Sequence, residues 1–569
     1  MDSKSFRRLV LPGLFISLLL LHFPGRSEHR ELKVPKGTSY YINATTGNDE
    51  NKGTSPGKPF KTLEMLRSLD LLPGDRIFLA AGSRFRGSIY LQNESGKAGS
   101  PIRISSYDAG SGGKALIDAS GYEAAIVLKN CSFIEIEGLS LTAPDKGDQE
   151  VDDKAIGRRC GVLVLVDDSA TYDHIWLRKL EIRKVFYENP GFERSLEETR
   201  SANGTQSYGW GIRVINSSKH GVLTGLKIDS CAIENVGHTG IKLTSRVPDG
   251  ENFGIRDFEI SNNRVLSTGG PGIQMSGVYR GYIAGNYVKG SGSSDDPRKW
   301  GRGSGLWTWA SSDILIERNY FLNANGPGDS AGAHIDFNCR NVILQYNLSS
   351  NNAGGFCEIL GNNYNCAYRY NISVNDGHRI KGRNNAFQEG KTFWLSGYQG
   401  DQKKRKGPFN SYFYNNTIYV SKDIVSKFAI NSSASGILIA NNIFCIEGET
   451  EWVLGDQYVP DSKAISAVKN VVFENNLYYK NYCWPEESPI QDSNPLIGDP
   501  GFSRPGGIST VDYIPANSDL LRNKGIEIES IPYDSIGLYL GLSVEMDILG
   551  NPISGLPDLG AIEIDPNLN

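Results

Sequence analysis

One short unit recurs through the middle of this chain and restricts what it can fold into. Apolar residues alternate with polar ones, and the unit closes on Asn or an equivalent. It reads FIEIEGL (133–139), IWLRKL (175–180), LKIDSC (226–231), FEISNN (258–263), ILIERN (314–319), VILQYN (342–347), CAYRYN (366–371), ILIANN (437–442) and VVFENN (471–476). Weaker copies stand at GYIAGN (281–286) and SYFYNN (411–416). The closing positions 263, 286, 319, 347, 371, 442 and 476 lie mostly 23–34 residues apart. Alternation places the apolar residues on one face of a strand. A unit this short buries that face only by stacking on its neighbours. Constant strands joined by variable loops describe an all-β solenoid, a single-stranded parallel β-helix with the closing Asn stacked at a turn. A β-propeller is the competing architecture. It needs several strands and a hairpin per repeat, more than the intervals of 23 and 24 residues allow.

A second series predicts another strand in each coil: Ile212-Arg213-Val214, Ile241-Lys242-Leu243, Ile273-Gln274-Met275, Trp307-Thr308-Trp309, Ile335-Asp336-Phe337 and Cys357-Glu358-Ile359. If the flanking residues point inward, the middle ones form an outward ladder of Arg213, Lys242, Gln274, Thr308, Asp336 and Glu358. Trp307 and Trp309 are then expected in the core. The 65 glycines and 27 tyrosines suit a turn-rich β protein. Net charge is −5 with acids and bases intermixed, which argues against a nucleic-acid or polybasic membrane surface. The eight cysteines include no CxxC pair, so neither a zinc site nor a dense disulfide framework is signalled. Several are read as small core groups, with a Cys339–Cys357 pairing left open.

At the N-terminus, Lys4, Arg7 and Arg8 precede an apolar run over 9–23. A signal peptide over 1–27 is expected, and with it a secreted or periplasmic bacterial protein with no membrane association beyond export. Residues 28–125 are read as an N-terminal cap and first coils, with Leu63, Leu66 and Leu69 on one face of a capping helix. The β-helix is assigned to 126–480. C-terminal coils and closing loops take 481–569, with DLGAIEID near the end as a closing strand.

The opening segments, GSIYL (87–91), SGKAGSPIRISSYDAG (95–110) and Ile117-Asp118-Ala119-Ser120-Gly121, follow Phe60-Lys61-Thr62-Leu63 and Pro73-Gly74-Asp75. They resemble the cap and first coils of the pectate-lyase-like superfamily, secreted right-handed parallel β-helices that act on polysaccharides. Asp336 and Glu358 stand 22 residues apart, about one coil. At equivalent positions their carboxylates would lie roughly 5 Å apart, near the separation in retaining glycosidases and below the ~6.5–9.5 Å of inverting ones. Such proximity forces one pKa up. An Asp followed one coil later by a Glu is similar to the catalytic pair of β-helical glycoside hydrolases, in particular the family 120 β-xylosidases. That resemblance implies Asp336 as nucleophile and Glu358 as general acid/base. The sandwich domain of those xylosidases is not seen, so their substrate need not transfer.

His334, Lys242, Arg213, Gln274, Thr308, Trp394 and His378 are the candidate substrate contacts, with Arg213 and Lys242 suited to an acidic sugar. Asp376, Gly377 and Arg379 are placed near the same groove. The expected activity is a monomeric retaining glycoside hydrolase acting on a plant or algal polysaccharide or its oligosaccharides, with no cofactor or metal. Two alternatives stay open. One is a polysaccharide lyase with Lys242 or Arg213 as base, and Ca²⁺ to neutralise a uronate; the ladder shows no third acid for such an ion. The other is a glycan-binding β-helix without catalysis.

Overall fold

A computed structural model describes residues 37–110, 112–147, 157–201, 204–246, 254–453, 468, 470–480 and 491–565. The expected signal peptide and Cys483 lie outside the described residues. The repeat units form the strands of one long parallel sheet, here sheet A, which starts at Ser39–Ile42 and ends at Val471–Glu474. Each coil continues into a short strand of sheet B and then a strand of sheet C before returning to A. Every strand pair in the three sheets is parallel, as in Phe258 over Gly281, Gly281 over Ile314 and Ile314 over Val342. The molecule is therefore a right-handed parallel β-helix. Its core is a column of stacked Ile, Leu and Val, with Ile260, Ile283, Ile316 and Leu344 fully buried in sheet A. The weak copy GYIAGN departs from the pattern for a packing reason. The Phe258 ring fills the space above Gly281, where a Cβ would come within 2.3 Å of it.

The closing asparagines occupy the A-to-B turn and bond to one another from coil to coil. Each Nδ2 donates to the Oδ1 of the next: Asn263 to Asn286 (2.9 Å), Asn286 to Asn319 (2.9 Å), Asn319 to Asn347 (3.0 Å) and Asn347 to Asn371 (3.0 Å). The ladder continues through Asn416 and Asn442 to Asn476. The same amides donate to backbone carbonyls of the preceding coil, as Asn347 does to Ile316 O at 2.9 Å. Their Oδ1 atoms also accept backbone N–H groups that the turn leaves out of the sheet. To make the corner, the preceding residue takes a left-handed conformation, with φ 55° at Arg318 and 57° at Tyr346.

The predicted N-terminal helix is a 3-10 helix over Leu63–Ser68, which buries Leu63 and Leu66. At three residues per turn those two share a face. They pack against Ile89–Gln92, the first strand of sheet C. The C-terminal stretch departs from expectation. Among the described residues after 480, only Leu496–Ile497 extends sheet B, and residues 558–565 (DLGAIEID) form no strand. The chain instead doubles back over the outside of sheet A. There Tyr513, Leu521, Leu538, Leu559 and Ile562 cover the outward tyrosines Tyr346, Tyr370, Tyr412 and Tyr414. Tyr346 Oη donates to Met546 O at 2.8 Å, and Tyr412 Oη to Asp534 Oδ2 at 2.5 Å. The cysteines at 131, 160, 231, 339, 357, 366 and 445 are buried and free, so Cys339 and Cys357 do not pair.

Replacing Asn347 by Ala removes its amide bonds and strands backbone N–H and C=O groups in a dry turn. Each such group costs about 1–3 kcal/mol. Chemical denaturation should show Asn347→Ala less stable than the parent by about 2–4 kcal/mol.

Candidate active site

Sheet C carries the candidate residues on its outer face. Its register runs Arg213 to Lys242, Lys242 to Gln274, Gln274 to Trp307, Trp307 to His334, and Glu358 to Trp394. Ile335 pairs with Ile359, which puts His334 beside Glu358. The outward ladder is therefore Arg213, Lys242, Gln274, Trp307, His334, Glu358 and Trp394. Two expectations are overturned. Thr308 points inward, fully buried between Met275 and Ile335, while Trp307 and Trp309 face outward. By pattern, Trp flanking Thr reads as an apolar pair around a polar residue. The narrow core instead takes the small side chain and leaves the two indoles on the outer face, with one side on the sheet. Asp336 and Glu358 are also not at equivalent positions. Asp336 follows the end of strand Ala333–Ile335, two residues past the ladder position held by His334. One strand spacing and two residues along the chain separate the pair diagonally, about 8 Å between Cα atoms. The register thus removes the basis for a 5 Å carboxylate spacing.

The loops leading into sheet C bring further charged groups to this face. Arg302 and Asp329 each stand four residues before paired strand positions, Leu306 and Ala333. They form a bidentate ion pair, Nε to Oδ2 at 2.7 Å and Nη2 to Oδ1 at 3.0 Å. Arg379 donates to Asp329 O at 2.9 Å and to Gln388 O at 2.8 Å. The Lys391 ammonium lies 4.0 Å from the centre of the Trp394 ring. Asp329 is the third acid that the ladder pattern does not show, because it comes from a loop. Its one signal in the sequence is the matching offset from Arg302.

Electrostatics separates the three carboxyls. Burial opposes ionisation of Asp329, but Arg302 outweighs it and holds the carboxyl below its usual range. Asp336 is pushed up from 3.8 to about 8 by burial, with a backbone N–H from Phe337 as a partial offset and the Asp329 charge reinforcing it. Glu358 is also raised, by burial first and by Asp329 and Asp336, against the pull of Lys391. His334 is lowered to about 4 by burial, so its ring is neutral near pH 7, with Nδ1 3.1 Å from Ser304 Oγ. The result is one fixed carboxylate beside two carboxyls whose burial favours the protonated form, an arrangement suited to general acid–base chemistry.

Aromatic side chains edge the cluster. Trp309, Phe337 and Tyr398 are half-buried, with Phe337 edge-on to both neighbours at centroid distances of 5.9 and 5.6 Å. Trp394 sits on strand Phe393–Leu395 directly beside Glu358. Two candidates fall elsewhere. His378 lines a polar cavity of about 400 Å³ on sheet B, with Arg264, Tyr287 and Lys289. Asp376 is buried in the B-to-C turn, where it accepts from Ser373 Oγ at 2.8 Å and Asn352 Nδ2 at 2.9 Å. Of that segment only Arg379 reaches the acids. Among the described residues no group of three His, Cys, Asp or Glu side chains is arranged to hold a metal ion.

The raised Asp336 pKa has a stability consequence. Folded Asp336 keeps its proton up to about pH 8, whereas the unfolded group loses it near 3.8, so the native state binds more protons between those values. Stability therefore falls as pH rises through that window. Urea unfolding of Asp336→Asn should show a shallower fall, and a stability advantage over the parent that grows from pH 5 to pH 8.

Residues 201–371 match the sequence model of a family described as the right handed beta helix region. A curated lacto-N-biosidase of Bifidobacterium longum subsp. longum is 25% identical over 93% of this chain and 36% of its own length. The chain thus spans about a third of that relative. A solved lacto-N-biosidase of family GH136 from Eubacterium ramulus aligns over 74% of this chain and 67% of its own, with 20% identity and a TM-score of 0.48. A pectate lyase, Pel9A, aligns over 94% and 98% with 13% identity and a TM-score of 0.38. In its stacked strands, its asparagine turns and the sequence model matched by its central coils, this chain is a right-handed parallel β-helix protein.

Proposed function

We propose that this chain is a glycoside hydrolase that cleaves a glycosidic bond over Asp336 and Glu358. The observation that carries the reading is the cluster of Asp329, Asp336 and Glu358 on one sheet face, with burial raising two of the carboxyls and Arg302 keeping the third ionised. Glycosidic hydrolysis needs a protonated carboxyl at the leaving oxygen and an ionised one at the anomeric carbon. The similarity to lacto-N-biosidases supports a hydrolase acting on an oligosaccharide. The wider expectation of plant or algal glycans has no such support.

Glu358 is assigned the acid, since burial and the neighbouring Asp329 charge favour its protonated form. Asp336 is assigned the nucleophile, a role it fills only in its ionised fraction, so turnover should rise as pH approaches about 8. It is half-buried, and the Phe337 N–H fixes its Oδ1 at 2.8 Å, leaving Oδ2 for the sugar. Asp329, locked to Arg302, sets the local potential. Trp394 and Trp309 supply apolar faces for sugar rings. The depressed pKa of Lys242 keeps the lyase as a second reading, since a base near neutral pH needs such a shift. Export of the protein, from the 1–27 segment, belongs with this proposal.

Purified protein should release new reducing ends from oligosaccharides without the ultraviolet absorbance of unsaturated uronates. Asp336→Asn and Glu358→Gln should each lower turnover by roughly 10²–10⁴-fold. Aryl glycosides with good leaving groups need no proton, so they should restore much of the rate in Glu358→Gln and little in Asp336→Asn. Full activity in both variants would overturn the site. Inversion of configuration in the product would recast Asp336 as a general base.

A further inference from the structure

The same sheet face holds a pair of cations that form no ion pair among the described residues. Arg213, on strand Gly209–Asn216, and Lys242, on strand Ile241–Ser245, are direct ladder neighbours at one strand spacing. Both rest on Trp210, with the guanidinium carbon 5.1 Å and the ammonium 5.0 Å from ring centres. Arg213 is buried and Lys242 half-buried. Arg213 donates to Thr244 Oγ1 at 2.7 Å, and among the described residues neither cation forms an ion pair with a carboxylate. Burial lowers the pKa of both, and Arg213 lowers that of Lys242 further. Two adjacent like charges held from water without a counterion destabilise a fold. Packing alone gives no reason to keep them there.

The sheet face that carries this pair and the acids also holds unpartnered polar atoms. Trp210 Nε1, Gln274 Oε1, Trp307 Nε1 and Trp394 Nε1 are shielded from solvent and have no hydrogen-bond partner. Gln274, Trp307 and Trp394 are ladder positions, and Trp210 lies on the strand of Arg213. Lys242 and Glu358 are four ladder steps apart, through Gln274, Trp307 and His334. At strand spacing that is about 19 Å, longer than one sugar ring. Hydroxyls of an extended glycan would supply the missing partners along the way.

We propose that Arg213 and Lys242 form an anion subsite that binds the carboxylate or sulfate of an acidic sugar, in the same glycan whose bond lies over Asp336 and Glu358. The subsite rests on the hydrolase reading for the position of the cut, but its binding chemistry can be measured without turnover. Arg213 supplies planar donors for an oxyanion and Lys242 a mobile point charge. The anion would provide the counter-charge that the pair lacks among the described residues. Trp210 forms the apolar side of the pocket.

The test is calorimetric titration of full-length Asp336→Asn with three matched oligosaccharides, one neutral, one carrying a uronate and one carrying a sulfate. One acidic glycan should bind about tenfold more tightly than the neutral one, and whichever does so identifies the anion. Lys242→Met and Arg213→Gln, each in the same background, should remove that preference. Lys242→Met should also raise the melting temperature without glycan, because it deletes an uncompensated charge; a lowered melting temperature with the preference intact would make the pair structural and overturn the subsite. Equal affinities for the three glycans would overturn it as well. If unsaturated uronate accumulates with the parent protein and not with Lys242→Met, then Lys242 is a base and the subsite falls. If no glycan is hydrolysed but the acidic preference vanishes in both variants, the subsite stands and the hydrolase reading falls.

Discussion

Parallel stacking at one strand spacing is the constraint from which the rest of this molecule follows. Every coil must return to the same register, so residues far apart in sequence become neighbours only at set positions. The asparagine ladder enforces that return. Asn263 through Asn476 bond amide to amide and satisfy the backbone groups of each A-to-B turn. Because the turn is constant, variation is pushed into the loops on either side of sheet C. Those loops are free to carry Arg302, Asp329, Arg379 and Lys391 to one face.

The site combines a rigid part and an added part. Glu358, His334 and Trp394 stand on strands, where the backbone pairing of neighbouring coils fixes them. Asp329 and Arg302 come from loops, and their bidentate pair ties two successive coils together. The pair also keeps a full negative charge beside two carboxyls that burial would neutralise. Raised pKa values at both Asp336 and Glu358 are the outcome of that burial and charge. Neither acid alone, on a solvated strand, would have an unusual pKa.

Much of the fold is legible in the amino-acid sequence. The closing Asn in ILIERN, VILQYN and CAYRYN marks a turn because its short amide both donates and accepts along the stack. Asp336 and Glu358 stand out in the sequence as acids between apolar neighbours, whereas Trp394 reads as part of a loop and stands on the strand Phe393–Leu395. The departures have local causes. Trp307 and Trp309 are large and apolar, which predicts an inward position, but Thr308 fits the stacked core between Met275 and Ile335 and they do not. His378 is near the site in sequence, whereas the B-to-C turn aims it at sheet B.

The sequence by itself determined the coil, its period, its turn chemistry and the polarity of its faces, because these depend on residues a few positions apart. It also supplied the acids. Tertiary structure decided which acids meet. Whether His334 or Asp336 stands beside Glu358 depends on where one strand ends, a difference of two residues that no repeat interval reveals. The place of the C-terminal residues 500–565 was likewise decided only in three dimensions. Their apolar side chains have no period of their own and find their place on Tyr346, Tyr412 and Tyr414, whose surface exists only once the coils have stacked.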